Sequence, residues 1–592
     1  MAVRLFLGCS LGLLASVAAA AAAPANGTDP FQLSCLSFQP QTHVYNATLT
    51  AREFVPANTN LTFPDNDATC SRASQLVPAD ICRIALSIPT SNRSSITYEM
   101  WLPREWTGRF VATGNGGIDG CVKYEDLAYT SQNGFAAVGS NNGHNGTYGN
   151  AFYQNDEVMS DFAWRSLHTI TDVGKKLTNL FYQGDITKSY YLGCSLGGRM
   201  GIKAAEHFPD DYDGIVAGAP AVDFNNLIAW RASFYPITGA KGSANFISAD
   251  TWKTTIHNEV LNQCDSIDGA EDGIIEDPTL CHFNPETLLC RGNSTDCLNA
   301  VQVGIVRQVF SPFFGLDGGL IFPGMQPGSE ELAVSKLYAG APFSYSEDWF
   351  KYVIYDPSWD AATFTALDAA YAELRNPANI RTWPASLARF QRRGGKLLSY
   401  HGQQDNQISS FNTPRFYHHL MRGMGYSYAD MDAFFRFFRV SGMNHCNSGP
   451  GAWVLGQGGG APAEGIPFDA AHNVLAAMVD WVEKDEAPRT ITGTKFVDDE
   501  VDNGVAFERR HCLFPRRNTL VGADPTDPDS WECKWAANWW SGPDGGAAEG
   551  FGNPWLNGFG DGHGHGHGHG HGPGHDHDHD NDYNRERGHG RP

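Results

Sequence analysis

Residues 191–199, YLGCSLGGR, set Ser195 between Gly193 and Gly197 at the end of an apolar run. The string Gly-Cys-Ser-Leu-Gly matches G-x-S-x-G, whose sharp strand-to-helix turn lifts the serine oxygen above a sheet while the glycines allow close packing. A serine hydroxyl is a weak nucleophile until a base accepts its proton. In this arrangement an acid and then a histidine follow the serine along the chain, so both partners are sought downstream. Asp405 in SYHGQQDNQIS and His445 in SGMNHCNSG each follow a strand-like run and sit in loops. His401, four residues before Asp405, is the competing histidine. Its position suits a packed strand-end residue that shapes the acid loop. Acyl transfer also places negative charge on a carbonyl oxygen, which aimed backbone N–H groups stabilise. TGNGG supplies Gly116 and Gly117 after an early strand, and the amide of Leu196 would complete the pair.

Cys194 precedes the serine and Cys446 follows the histidine. A disulfide requires Cα atoms roughly 4.4–6.8 Å apart, a spacing compatible with a serine and imidazole within hydrogen-bond reach. A bond between Cys194 and Cys446 is therefore expected to tie the two loops together.

Strand-like runs, SITYEMWLP, RFVATG, GFAAVGS, SYYLGCS and GIVAGAP, carry this chemistry, with GGKLLSYHGQQD and FFRFFRVSGMNHC later in the chain. Between them lie segments with helical apolar spacing: DFAWRSLHTITDVGKKLTNLFY, GGRMGIKAAEHF and AAHNVLAAMVDWVEKD. Alternating strand and helix indicates an α/β domain with a mostly parallel sheet covered on both faces. The alternation breaks between residues 222 and 392, which read as an inserted cap containing FPGMQPGSE. The expected layout is a signal peptide at 1–23, a catalytic domain at 24–221 and 393–540, the insertion at 222–392 and a disordered Gly/His-rich tail at 541–592.

The 592-residue chain is 42% hydrophobic and carries a formal charge of −23, a balance that works against nucleic acid or anionic membrane as partner. Arg4, a short apolar stretch and small residues up to Ala23 read as a cleaved secretory signal. Thirteen cysteines become twelve once Cys9 is removed, an even set suited to pairing in an oxidising compartment. Sequons at Asn26, Asn46, Asn60, Asn92, Asn145 and Asn293 fit a secreted glycoprotein. The His-Gly run of the tail is suited to chelating a transition metal, or serves only as a solvated extension.

CDSIDGAEDGIIEDPTLC crowds carboxylates between Cys264 and Cys281. Calcium, which takes 6 to 8 oxygen ligands, would neutralise them, although the spacing is not that of an EF-hand and a solvated acidic turn is the alternative. The loop lies far in sequence from the serine, and a structural role is expected.

TGNGG, GCSLGGR, CDSIDGAEDGIIEDP, MQPGSE and SGMNHC, in this order, resemble the tannase and feruloyl esterase family of secreted fungal serine esterases over residues 35–533. The resemblance implies an α/β-hydrolase core with a large inserted lid domain, the triad Ser195, Asp405 and His445, and a disulfide bridging it. It implies the further pairs Cys35–Cys82, Cys70–Cys121, Cys264–Cys281, Cys290–Cys297 and Cys512–Cys533. It also implies a structural calcium held by Asp265, Asp268 and Asp272 and by the carbonyls of Ala270 and Ile274, with no organic cofactor. The implied activity is hydrolysis of feruloyl, p-coumaroyl or caffeoyl esters of plant cell-wall polysaccharides. Galloyl esters, as in a tannase, are the alternative substrate. A non-catalytic binding protein on the same fold is the alternative of another class, and a metal-sequestering protein built around the tail is a third.

Overall fold

The computed structural model describes residues 29–292, 296–461 and 465–536. The expected signal peptide, the tail and the sequons Asn26 and Asn293 lie outside these residues. Nine strands form the central sheet: β1 (Thr48–Val55), β2 (Ile81–Pro89), β3 (Ser95–Pro103), β4 (Arg109–Thr113), β5 (Phe135–Ser140), β6 (Lys188–Cys194), β7 (Gly214–Gly218), β8 (Lys396–Gly402) and β9 (Phe435–Val440). Their order is β1-β2-β3-β5-β4-β6-β7-β8-β9.

From β5 to β9 all neighbours are parallel. The first three strands are antiparallel, and β3 joins β5 antiparallel. A short turn after Pro89 lets β2 and β3 pair directly, whereas parallel neighbours need a crossover, here supplied by helices. The strands β5 and β7 are buried along their whole length, as expected of parallel strands covered on both faces. Alternate residues feed two cores: Ala112, Tyr191, Ile215 and Leu397 face one, and Val111, Tyr190, Val216 and Leu398 the other.

Helix α1 (Ser166–Tyr182) and helix α2 (Leu196–His207) precede and follow β6. The apolar spacing expected to start one helix at Asp161 instead begins with a π-helical turn, Asp161–Arg165. Helix α3 (Phe224–Thr238) opens the insertion, and α4 (Asn412–Met424) and α5 (Val474–Lys484) complete the core. The last of these starts later than its apolar pattern, because the Asn473 side chain caps it by accepting from the amides of Leu475 and Ala476, each at 3.0 Å. This is the α/β-hydrolase arrangement, with the whole stretch between Gly218 and Lys396 inserted between β7 and β8.

Two antiparallel hairpins, Thr490–Phe496 with Val505–Cys512 and Arg516–Leu520 with Trp531–Trp535, follow α5. Arg509, 1% exposed, reaches from the first to Asp272 at 2.8 Å and Glu276 at 3.3 Å in the acidic loop of the insertion. All six cysteine pairs are present: Cys35–Cys82, Cys70–Cys121, Cys194–Cys446, Cys264–Cys281, Cys290–Cys297 and Cys512–Cys533. Asn46, Asn60, Asn92 and Asn145 are exposed. Among the described residues no helix is long and apolar enough to cross a membrane.

Candidate active site

Ser195 sits at the tip of β6 with φ 64° and ψ −122°, a conformation that a non-glycine residue adopts only when its surroundings impose it. The imposition is visible in the backbone: the Ser195 amide donates to Gly218 O at 3.0 Å, and its carbonyl accepts from the amides of Arg199 and Ala221, each at 3.0 Å. Glycine is required at Gly193, where a Cβ would lie 2.9 Å from Gly197 C, and at Gly114, where it would lie 2.5 Å from Gly197 Cα. The turn therefore has the sharp strand-to-helix geometry expected of G-x-S-x-G. It also presses the TGNGG loop against the start of α2.

His445 joins the other two groups. Its Nε2 lies 2.8 Å from Ser195 Oγ and its Nδ1 lies 2.7 Å from Asp405 Oδ2. Asp405 is fully buried. Burial alone would raise its pKa, but the His445 charge and hydrogen bonds from His401 and His445 outweigh burial and hold the carboxyl below the usual range. Asp405 Oδ1 accepts from the amides of Gln407 and Ile408, each at 2.8 Å. The acid is thus fixed by its own loop, ionised, and presents Oδ2 to the imidazole.

His401 is fully buried, with Nε2 3.0 Å from Asp405 Oδ2 and Nδ1 2.7 Å from Thr413 Oγ1. It does not reach the serine; it is the packed residue expected at the strand end, and it shares the acid's oxygen with His445. Two further contacts were not foreseen. Asn406 Oδ1 accepts from the His445 amide at 3.2 Å, and the ring of Tyr345, from the insertion, packs on Gly117, where a Cβ would meet Tyr345 Cζ at 2.5 Å. Asn406 stands beside the acid in QQDNQ, which is the only signal the sequence offered; Tyr345 gave none.

The three expected oxyanion donors lie on two adjoining segments, Gly116 and Gly117 after β4 and Leu196 as the first residue of α2. The Gly116 amide makes a long contact of 3.4 Å to Asp119 Oδ1.

The disulfide Cys194–Cys446 joins residues 252 apart in sequence, with Cα atoms 6.1 Å apart. Cys446 has φ 66°. His445 therefore lies in an irregular loop, and the covalent link to β6 limits how far it can drift. Replacing both Cys194 and Cys446 by alanine is expected to lower kcat about 10- to 100-fold, the cost of slight misplacement of reacting groups, and to lower stability by about 2–4 kcal/mol. Turnover per titrated active site checks this; near-normal turnover in the folded double variant would remove the positioning role.

In the acidic loop, Asp265 accepts from the Gly273 amide at 3.0 Å, Asp268 Oδ1 from Ala270 at 2.8 Å and Asp272 Oδ1 from Ile274 at 3.1 Å. Among the described residues, no group of three or more His, Cys, Asp or Glu converges on a common metal position, and Asp272 Oδ2 is turned to Arg509. The donor set nevertheless fits a hard cation. Asp268 Oδ2 is buried with no hydrogen-bond partner, and burial, with Glu276 and Asp272 nearby, pushes this carboxyl up to about 7. Asp268, Glu276 and Asp277 also line a cavity of about 50 Å³. The loop's sequence distance from the triad misleads: Ile275 O accepts from Gln404 Nε2, beside the acid, at 2.8 Å.

The family model for tannase and feruloyl esterase matches residues 82–533. The chain is 60% identical over 489 residues to a protein described as probable feruloyl esterase B-2 from Aspergillus flavus, covering 82% of this chain and 94% of that one. The crystal structure of feruloyl esterase B from Aspergillus oryzae is similar with a TM-score of 0.82 and 46% identity, covering 85% of this chain and all of that one. A tannin acyl hydrolase from Aspergillus niger shares the fold, with a TM-score of 0.66 at 18% identity and coverage of 85% of this chain and 94% of that one. A serine, histidine and aspartate in hydrogen-bonded series, a disulfide beside them and a family match across most of the chain place this protein in the tannase and feruloyl esterase family.

Proposed function

We propose that this protein is a secreted carboxylic ester hydrolase that cleaves hydroxycinnamate esters of plant cell-wall polysaccharides. The observation that carries the reaction class is the bridging of Ser195 and Asp405 by His445, at 2.8 and 2.7 Å. Relatives named feruloyl esterase, among them the one at 60% identity, support the acyl group.

Ser195 Oγ attacks the ester carbonyl while His445 Nε2 takes its proton, and Asp405 holds Nδ1–H so that Nε2 is free to do so. The tetrahedral oxyanion is met by the amide of Leu196 together with Gly116 or Gly117, on adjoining loops. Collapse expels the sugar alcohol, to which His445 returns the proton. Water, deprotonated by His445, then releases the hydroxycinnamic acid and restores the serine. Relative kcat/KM on methyl ferulate, methyl caffeate, methyl p-coumarate and methyl gallate tests the substrate class. A preference for the three hydroxycinnamates is expected; a strong preference for gallate would overturn the assignment, since a site built to pair ring hydroxyls discriminates sharply.

The acidic loop is assigned to calcium, with Asp265, Asp268 and Asp272 carboxylates and the Ala270 and Ile274 carbonyls as ligands; the ion would supply charge neutralisation and take no part in the reaction. Chelation with EDTA is expected to lower Tm and Ca²⁺ to restore it, the bound ion contributing about 2.7 kcal/mol of stability at a hundredfold excess over Kd. Identical melting curves with and without EDTA would contradict the assignment. Export through the segment at 1–23 and glycosylation at the exposed Asn46, Asn60, Asn92 and Asn145 complete the proposal.

A further inference from the structure

The loop that carries Asp405 is held from two sides. The core ties its first residues: the Gln403 amide donates to Val440 O at 2.8 Å and the Gln404 amide to Met443 O at 3.0 Å. From Asp405 onward the ties to other parts of the chain come largely from the insertion. Gln326, fully buried, uses both ends of its amide: Nε2 donates to Asp405 O, and Oε1 accepts from the Ser410 amide at 2.9 Å. Ser409 Oγ donates to Gly324 O at 2.6 Å, and Arg231 Nε donates to Gln407 O at 2.8 Å.

Gly324 and Gln326 both belong to FPGMQPGSE, a segment to which no part of the reaction so far assigns a role. The segment is itself anchored. Ser329 Oγ donates to Gln326 O at 3.0 Å, Glu330 Oε1 accepts from the Gly328 amide at 2.9 Å, and Glu330 Oε2 lies 2.8 Å from His257 Nδ1. Gly328, at φ 99°, lies where a Cβ would be 3.0 Å from Gln404 Cγ, so the turn also packs on the residue before the acid.

We propose that FPGMQPGSE is a brace that positions the triad acid, with the Gln326 amide as its central contact. A glutamine suits the task because one planar group supplies both a donor and an acceptor, and here they fix two backbone points on either side of the residues that cap Asp405 Oδ1. Asp405 in turn orients the His445 ring. The insertion then completes the geometry of the acid, and a rigid swing of the insertion away from the core would draw on the Asp405 backbone.

This inference rests on the triad reading, which loss of hydrolysis in Ser195→Ala establishes separately. The test is Gln326→Met, which keeps the length of the side chain and removes both hydrogen bonds. Methyl ferulate hydrolysis is measured across pH, with active sites counted by exhaustive fluorophosphonate titration. The expected result is a kcat per titrated site about 10- to 100-fold lower, with KM within about threefold. The acid limb of the kcat/KM profile should move to lower pH, because a misplaced carboxylate stabilises the imidazolium less. A kcat per site within about twofold of wild type, with a superimposable pH profile, would overturn the proposal even if Tm fell. If Gln326→Met yields no folded protein, Ser409→Ala decides: a lower kcat with the same shift supports the brace, and an unchanged kcat and profile overturn it.

Discussion

Ser195→Ala is expected to lower kcat/KM on a hydroxycinnamate ester by about 10⁴- to 10⁶-fold, the range seen when a nucleophile of this type is removed. The substitution deletes the oxygen that lies 2.8 Å from His445 Nε2 and little else. The turn at φ 64° is imposed by backbone bonds to Gly218, Arg199 and Ala221 that alanine retains, so the variant should melt as the wild type does. Residual hydrolysis would come from the oxyanion donors and binding alone. Activity measured beside a circular-dichroism melt separates loss of chemistry from loss of fold, and a drop of less than about 100-fold in a folded variant would mean that another group attacks the ester.

Asp405→Asn is expected to cost about 10⁴-fold in kcat, and the geometry says why. Oδ1 accepts from the Gln407 and Ile408 amides at 2.8 Å. An asparagine oxygen would keep those bonds, and the loop would hold its shape. Its amide nitrogen would then replace Oδ2 between two histidines, His445 at 2.7 Å and His401 at 3.0 Å. An N–H facing His445 Nδ1 favours the tautomer with hydrogen on Nε2, which cannot accept the serine proton. Stopped assays with concentrated enzyme measure this, and a loss of less than about tenfold would show that the carboxylate does not set the tautomer.

The parts of this site that could be read in the sequence are those whose chemistry is local. Ser195 announces itself by flanking glycines, and Cys194 and Cys446 by standing next to the two groups they bring together. The parallel strands were legible because burial on both faces leaves an unbroken apolar run, as in FAAVGS and GIVAG. Strand β1, half exposed along TLTAREFV, has no such run. Of the C-terminal strands, RRNTL has no apolar residue before its last position, and WECKW alternates apolar and charged residues but is only five residues long.

What remained hidden was long-range placement. The acidic loop read as remote from the serine, yet Ile275 meets the residue before the acid. Nothing near Gln326 or Tyr345 states which loop each will touch, since a contact across the insertion is decided by how the whole chain folds back between Gly218 and Lys396.

Ser195 is the proposed nucleophile of the esterase reaction. Stoichiometric inactivation with a phosphonate analogue of methyl ferulate, followed by peptide mapping, tests it most directly. One phosphonyl group per chain on Ser195, with activity lost in proportion, is the predicted result. Full modification at another residue, or hydrolysis that persists once Ser195 is blocked, would contradict it.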